Sequence, residues 1–282
     1  MINDVARVTV LADNCVQGFG LLAEHGLAFW VETRGWRLLF DTGQGLVLSH
    51  NAGKLGVPLE QVDAIVLSHG HYDHSGGLNS VLRHAPNVKI YAHPDAVLPK
   101  YARRDNGTSW DVGMPPPTED TLRERGDAVT WTKQPTEMFD GVFVTGEIPR
   151  RTDYEDTGGP FFRDGNCQRA DALLDDQAMF FESRLGTVVL LGCGHAGVIN
   201  TLRFVQELTG AKPIHTVIGG MHLVKATRDR MDRTIGSLRQ LNVQRLGPTH
   251  CTGAAATAEL WNALPGRCFP CAVGMKTEFE VS

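Results

Sequence analysis

The chain has 282 residues, with 27 Lys and Arg against 32 Asp and Glu for a formal charge of −5, and 42% of its residues are hydrophobic. This is an ordinary globular composition, and mild acidity with no Lys/Arg block leaves no electrostatic footprint for nucleic acid or an anionic membrane surface. No apolar run of about 18 residues occurs, and Asp4 and Arg7 stand where a signal peptide would be apolar, so a cytoplasmic protein with no membrane partner is expected. The six cysteines, at 15, 167, 193, 251, 268 and 271, are too sparse and irregular for a disulfide framework. Cys268 and Cys271 read as buried apolar thiols near the last strand.

In chain order, positions 8–12 alternate like a strand, and 27–32 and 37–41 are apolar runs joined by Thr33-Arg-Gly-Trp36, a hairpin signal. Positions 62–68 form a short β-branched run, as expected of a buried strand, and lead straight into His69. A helix over 76–84 stops before Pro86, and a strand follows at 88–92, which completes a β-α-β unit. From about 100 to 135 the periodicity is lost among Asn106-Gly107, Pro115-Pro-Pro117 and charges, and this stretch reads as an insertion loop. A strand at 141–146 precedes a second loop-like insertion at 155–172. Strands at 177–182 and 187–191 form another hairpin; helix 197–209, strand 214–218, helix 229–241, strand 244–248 and a strand near 275–280 complete the chain. Two β-rich halves each carry helices, with no internal repeat. The expectation is one domain over 1–282.

The chemistry concentrates in His69-Gly-His71-Tyr-Asp73-His74, where three imidazoles and a carboxylate lie within six residues on a turn leaving a buried strand. In extended backbone, side chains two apart share a face, so His69 and His71 can grip one ion, and the following turn can swing Asp73 and His74 toward a second. Further candidates are His195 in Gly192-Cys193-Gly-His195, His222 in Gly219-Gly-Met-His222, and His250 in Pro248-Thr-His250-Cys251, each just after an expected strand. His25, His50, His84 and His215 lie outside such turns and stay unassigned, and His93 is a candidate border of the pocket. Arg150, Arg151, Arg169 and Lys225 sit near strand ends, where a cation can pair with phosphate or carboxylate, with solvated surface charge as the default.

The hexapeptide resembles the HxHxDH signature of the metallo-β-lactamase superfamily, and the resemblance implies an α+β fold, a four-layered αββα sandwich of two similar halves. It implies that His69 and His71 bind one metal and Asp73 and His74 the other, with His250 as the last ligand of the second metal and His195 as the third of the first. Asp41 matches an Asp that supports the ligand histidines from behind, against a plain turn-forming Asp before Gly. The Asp that bridges the two ions in most members has no counterpart in Leu191-Gly-Cys193. Either water alone bridges or Cys193 lends a thiolate, and the reading preferred here is a small buried thiol outside the ligand set. His222 is read as a ligand or as an acid beside the substrate.

Further stretches narrow the resemblance: Val144-Thr-Gly-Glu-Ile-Pro-Arg150, Asp175-Asp-Gln-Ala178, Gly192-Cys-Gly-His-Ala-Gly-Val-Ile-Asn-Thr201, Ile218-Gly-Gly-Met-His-Leu223 and Thr249-His-Cys-Thr-Gly253. Together they are similar to the subgroup that includes the dihydropterin ribofuranosyl-aminobenzene phosphate synthases. The expected protein is a hydrolase with two divalent metal ions, zinc first and manganese or iron as alternatives, that lower the pKa of a shared water from ~15.7 toward 7. Asp73 would accept the proton. The helix after His195 would aim its N-terminal amides at an anionic small-molecule substrate carrying phosphate or carboxylate. The alternatives are a synthase-type condensation and a non-catalytic ligand-binding protein; oligomeric state is left open.

Overall fold

The computed structural model describes residues 5–281, so Asp4, read above against a signal peptide, lies outside the described residues. Seven strands form one sheet in the order Lys276–Glu280, Val5–Ala12, Ala28–Thr33, Trp36–Phe40, Ala64–Val66, Lys89–Ala92 and Val129–Trp131. Six form another in the order Arg245–Pro248, Ile214–Gly219, Gly186–Leu191, Met179–Ser183, Val142–Val144 and Thr136–Phe139.

The alternation of side chains along these strands builds three apolar layers. Phe29, Phe40 and Val66 of the first sheet meet Val144, Phe181 and Leu190 of the second in a central core. Trp30, Leu39 and Ile65 turn to the opposite face and pack with Leu48, Leu78 and Val81 of helices Leu48–Leu55 and Leu78–His84. Val189, Leu191 and Val217 likewise pack with Leu202, Val205 and Leu238 of helices Val198–Leu208 and Arg228–Gln240. Strands covered on both faces need unbroken apolar runs, which accounts for Val188-Val-Leu-Leu191. The result is a four-layered αββα sandwich, as expected. No helix among the described residues is long and apolar enough to cross a membrane.

Five strand pairings are parallel: Trp36–Phe40 with Ala64–Val66, that strand with Lys89–Ala92, Lys89–Ala92 with Val129–Trp131, Gly186–Leu191 with Ile214–Gly219, and the latter with Arg245–Pro248. Parallel pairing brings strand C-termini to one edge, where ligand sites form in open α/β sheets. The turns leaving these ends carry Asp41, the 69–74 cluster, His195, His222 and His250.

Local structure departs from expectation in four places. The ladder over 62–68 shortens to Ala64–Val66, because the Ser68 amide donates to the Asp41 carboxylate instead of a neighbouring strand. The helix expected over 76–84 begins two residues later, at Leu78–His84, and a separate turn, Tyr72–Ser75, precedes it. Helices Leu48–Leu55 and Ala254–Ala263 fall where no element was assigned. The 100–135 stretch is ordered: Tyr101–Arg103 pairs with Ser109–Asp111, Pro116 and Pro117 open helix Pro116–Glu124, and Val129–Trp131 joins the first sheet. Proline's fixed φ suits a helix's first turn, so the Pro115-Pro-Pro117 run starts a helix here. Phe161–Phe162 of the 155–172 stretch pairs with Tyr101–Arg103, so both stretches contribute to a small third sheet.

The third sheet is joined to the rest by a fully buried cation. Lys100 Nζ donates to Asp175 Oδ1 at 2.8 Å and to Asp171 Oδ2 at 3.4 Å, and Arg163 Nε lies 2.7 Å from Asp171 Oδ1. Burial alone would raise the Asp175 pKa, but Lys100 holds it below the ordinary carboxylate range. Replacing Lys100 with Met strands buried carboxylates, and urea unfolding at pH 7 should show a loss of about 3–5 kcal/mol. Because the folded pKa of Asp175 is depressed, its contribution is present above about pH 4 and lost as the pH falls further. The difference between wild type and Lys100→Met should shrink on acidification, and the Asp175→Asn/Lys100→Met double variant should recover part of the loss.

Candidate metal centre

The site is assembled from its outer contacts inward. Asp41, in left-handed backbone at φ 60°, directs its carboxylate behind the histidine turn. Oδ1 accepts from the Ser68 amide at 2.7 Å, while Oδ2 accepts from Ser68 Oγ at 2.7 Å and from His74 Nδ1 at 2.6 Å. With its own proton committed to Asp41, Ser68 Oγ can only accept from His69 Nδ1, 2.9 Å away. His195 Nδ1 donates to the Thr157 carbonyl at 2.7 Å, and His250 Nδ1 to Asn14 Oδ1 at 2.9 Å. A histidine whose Nδ1–H is engaged outward presents the lone pair of Nε2 inward. His69, His195 and His250 are thereby fixed in the same tautomer, and Asp41 orients the His74 ring.

Inward, two donor groups form. His69, His71 and His195 lie with one nitrogen each within 4.8 Å of the others, and His69 Nε2 is 2.9 Å from His71 Nδ1. Beside them, His74 Nε2 is 3.2 Å from His250 Nε2, and Asp73 Oδ2 lies 3.4 Å from His250 Nε2 and 3.8 Å from His74 Nε2. All six residues are buried. Among the described residues, His195 Nε2 and His71 Nε2 are buried without a hydrogen-bond partner.

The electrostatics suit a cation. Burial pushes His71 down to about 3, and burial with neighbouring imidazoles holds His69 and His195 well below their ordinary value, so these rings are neutral at pH 7. Burial also disfavours a charge on His74, but the carboxylates of Asp41 and Asp73 outweigh it and raise the ring to about 9. Positive charge is thus favoured at His74 and disfavoured at the other rings, which leaves lone pairs facing one locally anionic point. Neutral imidazole nitrogens with one carboxylate are the donor set of zinc-type metals, and the residues present fit such a group.

The remaining candidates separate clearly. His222, at φ 43°, lies with its ring centre 4.5 Å from that of His195 and tilted 40° to it, and its Nδ1 is buried without a partner among the described residues; burial lowers its pKa to about 4. His93 is buried away from the cluster and accepts from the Asp95 amide. Arg150 donates to the His195 carbonyl at 2.7 Å and is a structural brace, whereas Arg151 and Arg169 pair with Glu207 and Asp164. Lys225 alone of these cations borders the cavity.

The helix Val198–Leu208 corrects one expectation. Glu155 takes its N-terminal amides, accepting from Ile199 at 2.8 Å and Asn200 at 2.9 Å, so the protein's own carboxylate occupies the place proposed for a substrate anion.

One feature was missed in the sequence. His25 reaches Asp73 Oδ2 at 3.2 Å and forms a donor group with Asp73 and His250, although it lies 44 positions before the hexapeptide's first histidine, and no local pattern marks it. Cys193, read as a thiol outside the ligand set, lies with Sγ 3.1 Å from His74 Nε2. Cys268 and Cys271, expected to be buried, are half-buried free thiols.

The cavity, about 510 Å³, opens on Asp73, His222 and His250. Tyr72, Trp110 and Phe161 supply aromatic walls, and Arg103, Arg104 and Lys225 stand on its border with Asp105, which pairs with Lys225 at 3.3 Å. The backbone holds the histidine turn closely: a Cβ on Gly70 would meet the Ala96 carbonyl oxygen at 1.9 Å, and the Gly70 amide donates to Asp175 Oδ2 at 2.8 Å. Since Asp41 fixes two of the rings, Asp41→Asn should weaken zinc binding about 10–100-fold in a chelator competition while far-UV circular dichroism stays unchanged.

The family model of the metallo-beta-lactamase superfamily matches residues 22–158. An uncharacterized protein of Methanocaldococcus jannaschii is 30% identical over 254 residues, covering 90% of this chain and 93% of its own length. The 7,8-dihydropterin-6-methyl-4-(beta-D-ribofuranosyl)-aminobenzene-5'-phosphate synthase of the same organism is 26% identical over 269 residues, 90% of each chain. Among solved structures, a metal-dependent hydrolase of the beta-lactamase superfamily superposes with a TM-score of 0.82 at 29% identity, over 98% of this chain and 99% of that one. Fold, motif and relatives agree: the chain belongs to the metallo-β-lactamase superfamily.

Proposed function

We propose that this protein is a dinuclear metal-dependent hydrolase acting on a small ester that carries phosphate or carboxylate. The observation that carries the reading is the pair of adjacent donor groups at the inner end of an aromatic cavity. His69, His71 and His195 would hold one ion, and Asp73, His74 and His250 the second. When bound, such a metal pair lowers the pKa of a water and polarises the scissile oxygen.

The chain's own residues supply the rest. The Asp73 carboxylate, which borders the cavity beside His25, would take up the proton of the attacking water through the oxygen that does not hold the ion. His222, neutral at pH 7, orients the substrate through a ring nitrogen. Tyr72, Trp110 and Phe161 exclude water from a bound apolar group, while Arg104 and Lys225 favour an anionic one. Glu155 already occupies the Val198–Leu208 helix terminus, so recognition of the anion falls to these rim cations and to the metal pair.

A second reading, a synthase-type condensation, is favoured by the name of the relative 26% identical over 90% of the chain and by the aromatic walls. Incubation of the zinc- or manganese-loaded protein with bis(p-nitrophenyl) phosphate, lactones and thioesters separates the two. Turnover of at least one class is expected, and a chain that holds both ions yet cleaves none of them excludes the hydrolase.

Elemental analysis should find about two zinc-type ions per chain. His195→Ala should loosen the first ion steeply and leave the second. Retention of both ions at the full rate in that variant would transfer the role to His222.

A further inference from the structure

Between the two donor groups, where related sites carry a bridging carboxylate, this chain places sulfur. Cys193 Sγ is 3.1 Å from His74 Nε2. The same sulfur groups within 4.8 Å with His69 and His74, with His195 and His222, and with His250 and Cys251, so it takes part in three of the five clusters of potential ligands among the described residues. Among the described residues, His69 also falls in clusters of both groups, but only Cys193 falls in three clusters. Cys193 is 3% exposed and shares a turn with His195, directly beyond strand Gly186–Leu191. Cys251 is half-buried, with its thiol directed at the Cys193 carbonyl at 3.5 Å.

Distances decide between a bystander and a ligand. A zinc–sulfur bond of ~2.3 Å lets two ions on one sulfur stand up to about 4.6 Å apart, which spans the ~3.5–4 Å separation of dinuclear sites. A sulfur in contact range of imidazoles from both groups therefore reaches both ions without moving the backbone.

We propose that Cys193 is the bridging ligand of the metal pair, its thiolate binding both ions in place of a carboxylate. The S–H bond breaks, the proton leaves to solvent, and two sulfur lone pairs form the two metal–sulfur bonds, with no change of oxidation state. This rests on the reading of the two donor groups as metal ligands.

X-ray absorption at the zinc edge of the zinc-loaded full chain tests it. About one sulfur per zinc at ~2.3 Å is expected, unchanged in Cys251→Ser and absent in Cys193→Ser. Half a sulfur per zinc would overturn the bridge, since only one ion would then carry it, and a spectrum of nitrogen and oxygen alone would overturn sulfur coordination altogether. A wild-type chain that binds no zinc would instead refute the donor groups themselves, a separate failure. Should Cys193→Ser not fold, Cys251→Ser decides: a retained sulfur shell assigns it to Cys193, and its loss overturns the proposal.

Discussion

The site depends on one buried carboxylate. Asp41 accepts from the Ser68 amide, the Ser68 hydroxyl and His74 Nδ1 at 2.6–2.7 Å, and through the serine it also fixes the proton of His69. A fully buried carboxylate is costly unless its lone pairs are matched, and here each partner is itself a part of the site, so the charge is satisfied only when the rings point inward. The left-handed backbone at Asp41, His222 and His250 belongs to the same account: strained φ values persist where surrounding contacts over-determine them.

Legibility in the sequence followed the distance over which each residue acts. The 69–74 cluster was readable because its donors are neighbours and the alternation of an extended chain alone sets their directions. His195, His222 and His250 were readable because each directly follows an apolar run that had to be a strand. His25, Asn14 and Lys100 were not, because each earns its place through a contact with residues far along the chain: Asn14 reaches His250 across 236 positions. The role of the Val198–Leu208 helix was misread for a related reason. Its exposed amides are a local property, whereas the carboxylate that caps them comes from Glu155, 44 and 45 positions away from its partners.

Charge is distributed in a way that separates support from function. Behind the turn, buried Lys100, Asp171 and Asp175 form a network that Arg163 links outward to Asp95 and that meets the site through the Gly70 amide. In front, His69, His71 and His195 are kept neutral, while Asp41 and Asp73 favour positive charge at His74. Buried pairs of the first kind hold geometry; the imbalance in front supplies affinity.

The contact between His74 and His250 spans 176 positions and joins the turns of the two sheets. Neither half of the chain contains a complete second donor group, so an ion held there is a clasp between halves. Binding that occurs only in the folded state adds to stability by mass action, and metal supply would then set how long the two halves stay together as well as whether the site is active.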